Sequence, residues 1–244
     1  MIEFKNISFS YDKDTPVLKG ISFTINDGES VGLIGANGAG KSTIMKIMLG
    51  LLAPSEGEVL VDGVLVEKTS LSDVRRKLGF VLQDSDNQLF MPTVFEDMMF
   101  APLNYKMTKE EAENKVDEVL ESLDLMYLKN RYNHRISGGE KRMAAIATIL
   151  AMEPEAILMD EPTTALDPVN RRIVINTINK LPQLKLITSH DLDMILDTCE
   201  RVILLSKGGI VADGRTEDVL TDKETLEANR MELPLCLQGY KGKV

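Results

Sequence analysis

The run GANGAGKST, Gly35 to Thr43, sets a lysine and two hydroxyls behind small residues in the spacing G-x-x-x-x-G-K-[ST]. That spacing suits polyphosphate chemistry. Gly35, Gly38 and Gly40, with Ala36, Asn37 and Ala39 between them, let main-chain N–H groups close around phosphate oxygens without Cβ interference. Lys41 then reaches the β- and γ-phosphates, Ser42 is placed to ligate Mg²⁺, and Thr43 lies in a first helical turn whose donors still need partners. The apolar strand 31–34 precedes the run and the helical STIMKIMLGLL follows it, which is the context such a loop requires.

Three further groups carry titratable chemistry. AILMDEP is an apolar strand ending in Asp160 and Glu161, at the carboxyl edge where open α/β sheets bind ligands. Asp160 can hold Mg²⁺ through water, and Glu161, on the other side of the strand end, can orient and deprotonate an attacking water. LKLITSH delivers His190 at the end of its own strand, a candidate for contacting a γ-phosphate or that water. In ISGGEKRMAAIATIL, Ser137, Gly138, Gly139 and Glu140 open a helix; read plainly they form a capping box with a tight glycine entry.

The elements that must position these groups alternate along the chain. IEFKNISFSY, VLKGISFTI, SVGLIG and GEVLVDG are short strand-type runs punctuated by Gly, Asp and Pro, so a sheet-rich part opens the chain. From about Asp84 to Glu153 the pattern is helical. There Ala112, Val116, Val119, Leu120 and Leu123 share one helix face behind a capping box of Thr108 and Glu111. Later strands alternate with helices, the mark of a parallel sheet covered on both faces. The expected fold is α/β, a phosphate-loop NTPase core with a mixed sheet and an inserted helical subdomain. Residues 1–83 and 155–214 form the core, 84–154 the helical insert, and 215–244 a charged, partly helical C-terminal segment.

Composition narrows the partners. The 244 residues are 43% hydrophobic, enough for a sizeable packed core, and 28 Lys and Arg against 38 Asp and Glu give a formal net charge of −10. Nucleic acid is disfavoured as the main partner. Cys199 and Cys236 are far apart and fit neither a disulfide framework nor a zinc site, so reduced cytosolic thiols are expected. MIEFKNISFSY reads as an edge strand rather than a signal segment, which suggests a mature, cytoplasmic start. The longest apolar run, 143–152, is well short of the ~20 residues of a spanning helix, so any membrane role must go through a partner.

Taken together, the phosphate loop, ISGGEKRMAAIATIL and MDEPTTALD closely resemble the ATP-binding subunits of ABC transporters from Ile2 to about Arg215. The signature of that family usually reads L-S-G-G-Q; here Ile136 replaces the leucine and Glu140 the glutamine. The resemblance implies a head-to-tail dimer with a second, identical or related, ATPase chain. The signature residues Ser137 to Glu140 of each chain would then face the nucleotide of the other, with Asp167 crossing the interface. It also implies that Tyr11 stacks on adenine and that Gln83 contacts Mg²⁺ or the attacking water. Asp167 before Pro168 is equally an ordinary helix start, and Tyr11 equally a strand-end aromatic.

The stretch QDSDNQLFMPTVFEDMMFAPLN, together with the signature region, resembles the energy-coupling factor and cobalt- or nickel-type importer ATPases, with Ala101 where that branch often has glycine. That likeness implies peripheral attachment to the cytoplasmic face of the cell membrane, through a transmembrane subunit beside a separate substrate-binding membrane subunit. Transport of a vitamin or transition-metal ion is expected. Asp84, Asp86, Glu96 and Asp97 would supply charge to the docking groove, and Leu89, Phe90, Met98 and Met99 its apolar lining. The competing readings are an ATPase of another ABC transporter and a non-transport ABC ATPase. The latter typically carries a coiled-coil insertion or two cassettes, and the sequence has neither.

Overall fold

A computed structural model describes residues 1–12 and 15–239. Among the described residues ten strands occur in chain order: β1 Ile2–Ser10, β2 Pro16–Ile25, β3 Ser30–Ile34, β4 Glu56–Val61, β5 Val64–Leu65, β6 Leu78–Val81, β7 Ala156–Asp160, β8 Leu184–Thr188, β9 Arg201–Ser206 and β10 Gly209–Arg215. The α-helices are α1 Lys41–Met48, α2 Leu71–Lys77, α3 Val94–Asn104, α4 Lys109–Ser122, α5 Gly138–Leu150, α6 Pro168–Lys180, α7 Leu192–Thr198, α8 Thr216–Thr221 and α9 Lys223–Ala228. The chain divides into two compact units, 1–75 with 183–244, and 76–182.

In the first unit, β1, β2, β4 and β5 form an antiparallel sheet in the order β2-β1-β4-β5. Strand β1 buries Ile2 and Phe4, then Ile7 and Phe9, so its inward face changes from even to odd positions. A register shift between Phe4 and Ile7, with Asn6 at φ 53°, accounts for the change, because one extra residue flips every later side chain. Phe4 stacks on Phe23 of β2 with ring centroids 4.6 Å apart. The same unit holds β3 flanked by β8 and β9, both parallel to it, with β10 antiparallel on β9, so the α/β sheet is mixed as expected. Every residue of β3 and of β8 is buried.

At its C-terminal end, α8 and α9 are followed by a 3-10 turn, Leu235–Leu237. That turn is tied to α7 by the Asp193 carboxylate, which accepts from the N–H groups of Leu235 (3.1 Å) and Cys236 (2.9 Å). The last five residues of the expected C-terminal segment, 240–244, lie outside the described residues.

The second unit pairs β6 with β7 in parallel register, Leu78 with Ala156 through Val81 with Met159, and carries α3, α4, α5 and α6. Helix α4 takes the form its periodicity predicts. Ala112, Val116, Val119 and Leu120 are buried, and the Thr108–Glu111 capping box is formed.

Candidate functional site

Strand β3 runs straight into the phosphate loop. Gly38 has φ 80°, a backbone that L side chains rarely adopt, yet among the described residues no atom beyond its chain neighbours lies within 4 Å of where its Cβ would be. Its surroundings are open, so the glycine serves the curl of the chain. At Gly35, φ 149°, a Cβ would sit 2.4 Å from the Leu205 carbonyl, so the loop lies tight against β9. Helix α1 starts at Gly40 with no side-chain cap, which leaves its positive end facing the loop. Lys41 is buried and its Nζ donates to the carbonyls of Gly35 (2.6 Å) and Ala36 (3.4 Å). The ammonium therefore folds back over the loop it follows. Ala39 and Thr43 are buried too, whereas Asn37, Gly38 and Ser42 are exposed or half-exposed around the opening.

Two expected residues join this cluster within the same unit. The Tyr11 hydroxyl lies 3.4 Å from Thr43 Oγ1, and its ring packs edge-on against Phe9 while remaining 57% exposed. A broad aromatic face is thus offered beside the loop. Strand β8 pairs Thr188 with Leu33 of β3, so His190 leaves the same carboxyl edge two residues on, as Gly35 does from Leu33. His190 is exposed. Asp191 caps α7 by accepting from Met194 N at 3.0 Å, which fixes the turn that carries the histidine.

In the second unit, β7 ends at the half-buried Asp160, and Glu161 follows in the left-handed region at φ 49°. A non-glycine residue held there costs on the order of 1–3 kcal/mol, and such strain gathers at sites with a task. Glu161 is 7% exposed, and its Oε2 accepts from Thr164 Oγ1 at 3.2 Å. A buried carboxylate on a strained turn suits a base that must be aimed. Asp167 is the N-cap of α6, accepting from Val169 N (2.9 Å), Asn170 N (3.0 Å) and the Asn170 side chain. Those bonds, led by Asn170 N, hold its carboxyl below the usual carboxylate range.

Ser137 caps α5, and the reciprocal bond from Ser137 N to Glu140 Oε2 (2.7 Å) completes the capping box. That bond leads in holding the Glu140 carboxyl below its ordinary range, helped by Tyr127 and Arg131. The glutamate therefore stays charged and spends its charge on its own helix end. The two signature glycines differ. A Cβ on Gly139 would meet the Asn170 side chain at 2.2–2.6 Å, whereas one on Gly138 would meet nothing within 4 Å. Packing within the chain explains the first glycine and leaves the second open to an approach from outside.

The expected docking groove needs correction. Asp97 is 5% exposed and accepts from the N–H groups of Phe90 and Met91 (both 3.1 Å) and from Asn133 Nδ2. Leu89, Met98 and Met99 are buried core, and Glu96 closes a capping box with Thr93. The apolar side chains that do face outward are Phe90, Phe100 and Leu103, at 62%, 43% and 45% exposure, with the two rings edge to face at 4.9 Å. The amphipathic spacing of α3 separates Met98 and Met99 from Phe100 and Leu103, whereas Leu89 and Phe90 precede the helix; the buried role of Asp97 has no local signal. Sequence reasoning also missed Gln88 and Arg142, which hold the Gln83 turn. Gln83 itself has an exposed side chain just past β6.

Among the described residues no helix is long and apolar enough to cross a membrane, and no group of three or more His, Cys, Asp or Glu is poised to hold a metal ion. Any Mg²⁺ here would lean on substrate phosphates and hydroxyl or isolated carboxylate ligands, its usual mode beside a nucleotide, and the exposed Ser42 hydroxyl at the loop fits that donor set.

Comparison with known proteins agrees with this geometry. The ABC transporter family profile matches residues 18–164. A putative ABC transporter ATP-binding protein of Geobacter sulfurreducens is 46% identical over 98% of the chain and 96% of its own length. The energy-coupling factor transporter ATP-binding protein EcfA of Methanothermobacter thermautotrophicus is 42% identical over 96% of the chain and 77% of its own length. The solved structure of cbiO1 from Clostridium perfringens, part of the ABC transporter complex cbiONQ, superposes with a TM-score of 0.84 at 32% identity, covering 93% of each chain. The chain belongs to the ABC transporter family, as an ATPase subunit whose ATP hydrolysis is coupled to transport.

Proposed function

We propose that this chain powers an importer of the energy-coupling factor or cobalt/nickel type, attached peripherally to the cytoplasmic face of the membrane and driving uptake of a vitamin or transition-metal ion. The observation that carries the reading is the near full-length likeness to the energy-coupling factor relative, strengthened by the likeness to cbiO1. Residues 1–83 and 155–214 act as the nucleotide core, 84–154 as the signature subdomain, and 215–244 as an appended segment.

In this reading Gly35 to Thr43 bind the triphosphate, Lys41 neutralises the β- and γ-phosphates, and Tyr11 stacks on adenine. Ser42, Gln83 and Asp160 would hold Mg²⁺, which would supply positive charge against the phosphates. Glu161 takes a proton from water as it attacks the γ-phosphorus in line, and His190 donates to the γ-phosphate oxygens. Ser137 and the glycines of a second ATPase chain, paired head to tail, complete the donor set, with Asp167 at the interface. The open surroundings of Gly138 support that approach. Hydrolysis removes the charge that holds the dimer closed.

The partners are a transmembrane subunit and a substrate-binding membrane subunit, with no nucleic acid. The exposed set Phe90, Phe100 and Leu103 offers the apolar part of the docking surface, and the exposed Asp84 and Asp86 offer its charge. Purification of the tagged full chain from its native membranes in mild detergent tests the reading. A small polytopic membrane protein recovered in stoichiometric amount is expected. A chain that purifies without any membrane protein, or with ATPase activity stimulated by nucleic acid, would sink it.

A further inference from the structure

Arg142 is 3% exposed, in the second turn of α5, yet it forms no ion pair among the described residues. Its Nη1 donates to the Leu82 carbonyl at 2.5 Å and its Nη2 to the Gln83 carbonyl, while Asp84 acts on it only through charge. Burial pulls its pKa down, but a guanidinium stays protonated. Taking a cation out of water for two main-chain acceptors is an expensive way to fill a core position that an apolar side chain would fill more cheaply. What the arrangement gains is two charge-assisted bonds to the turn that presents Gln83.

Gln88 grips the same turn from the other side. Its Oε1 accepts from Leu82 N at 3.0 Å, and its Nε2 donates to the Ala145 carbonyl (2.8 Å) and to Thr148 Oγ1 (3.2 Å), both on α5. Thus the N–H and C=O of Leu82 and the C=O of Gln83 are all held by bonds that lead to α5. A third tie, Lys141 to Asp86 at 2.5 Å, is more exposed and adds little. Arg142 lies five residues past Ser137, about 7.5 Å along the helix axis. The signature helix α5 and the backbone of the Gln83 turn are therefore joined by these bonds, while Gln83 itself is exposed.

We propose that Arg142, with Gln88, is a positioning residue for hydrolysis. It locks Gln83 to the signature helix, so that Gln83 meets the nucleotide only in the setting that also presents Ser137 to the partner chain. The proposal rests on the catalytic reading of Gln83. Its test uses the full chain with Arg142→Met, Arg142→Lys, Gln88→Leu, Gln83→Ala and the double variant Gln83→Ala/Arg142→Met. ATPase kcat and KM are measured, with affinity for trinitrophenyl-ATP as the binding probe.

Arg142→Met should lower kcat by about tenfold or more while KM and probe affinity shift by less than about twofold, since the phosphate loop is untouched. Arg142→Lys, keeping the charge on a single donor nitrogen, should recover a substantial part, and Gln88→Leu should show a smaller loss of the same kind. In the Gln83→Ala background Arg142→Met should cost less than about twofold more, because both act through one group. Should Arg142→Met fail to fold, Arg142→Lys and Gln88→Leu carry the same comparison. Losses that multiply in the double variant, or wild-type kcat in the Arg142 and Gln88 variants, would overturn the clamp. Unchanged kcat in Gln83→Ala would overturn the role of Gln83 itself and the clamp with it.

Discussion

Replacing Gly138 or Gly139 by alanine should move stability and activity in different directions. A Cβ at Gly138 meets nothing within 4 Å, so the change only removes glycine's extra unfolded-state freedom at the first position of α5. That stabilises by up to about 0.5 kcal/mol, or roughly 1–2 °C in Tm for a chain of this size. At Gly139 the new methyl lands 2.2 Å from Asn170 Cγ. Asn170 can swing aside only by giving up the bond of its amide to the Asp167 carboxylate. Overpacking of this kind costs about 1–3 kcal/mol, a fall of roughly 2–12 °C. Thermal melts with ATPase assays on both variants separate the effects. Gly138→Ala should be as stable as the parent or slightly more so, yet lose most of its ATP-dependent dimer and its turnover, because in the proposed head-to-tail pairing the methyl occupies the space a partner's nucleotide needs. A Gly138→Ala protein that hydrolyses ATP at the parental rate would refute the assignment of that open face.

Other outcomes follow from particular contacts. Asp97→Ala should destabilise by at least about 1–3 kcal/mol, because two N–H groups and the Asn133 amide lose their acceptor; a denaturant melt with unchanged midpoint would contradict its buried role. Phe90→Asp should leave Tm unchanged while weakening recovery of the membrane subunit, so an intact complex would remove Phe90 from the docking surface. Glu140, held below its ordinary 4.5, contributes stability that is present above that pH and lost as pH falls through its lowered value. The Tm advantage of the parent over Glu140→Gln should therefore fade below about pH 4.5, as a pH series of melts would show. Of the two thiols, Cys199 is buried and pushed up to about 11 by that burial, whereas Cys236 is exposed. Alkylation followed by mass spectrometry at pH 8 should label Cys236 and spare Cys199 in the folded protein.

Much of the architecture was legible in the sequence because local rules and the fold agree. The capping boxes at Thr108 and Ser137, the apolar face of α4, and the strands that carry the phosphate loop, Asp160 and His190 all read correctly from periodicity and punctuation. What failed to show was anything set by contacts distant in sequence. The acids of QDSDNQLFMPTVFEDMMF looked like a charged surface, yet Asp97 serves as an internal acceptor for a loop seven residues before it and for Asn133 far after it. Arg142 stands beside the apolar run 143–152, and nothing nearby in sequence reveals that its partners are carbonyls some sixty residues earlier. The role of Asp167 as a helix cap was visible as the plain alternative and is the contact it makes within its own chain.

The most direct test is Glu161→Gln, which keeps the size of the side chain and its bond to Thr164 within reach while removing the base. Single-turnover hydrolysis and light scattering with ATP and Mg²⁺ on the full chain measure chemistry and assembly together. Near-parental ATP affinity, turnover reduced by about 10²-fold or more, and accumulation of an ATP-bound dimer are predicted. Undiminished turnover, or a variant that stays monomeric with ATP bound, would contradict the account.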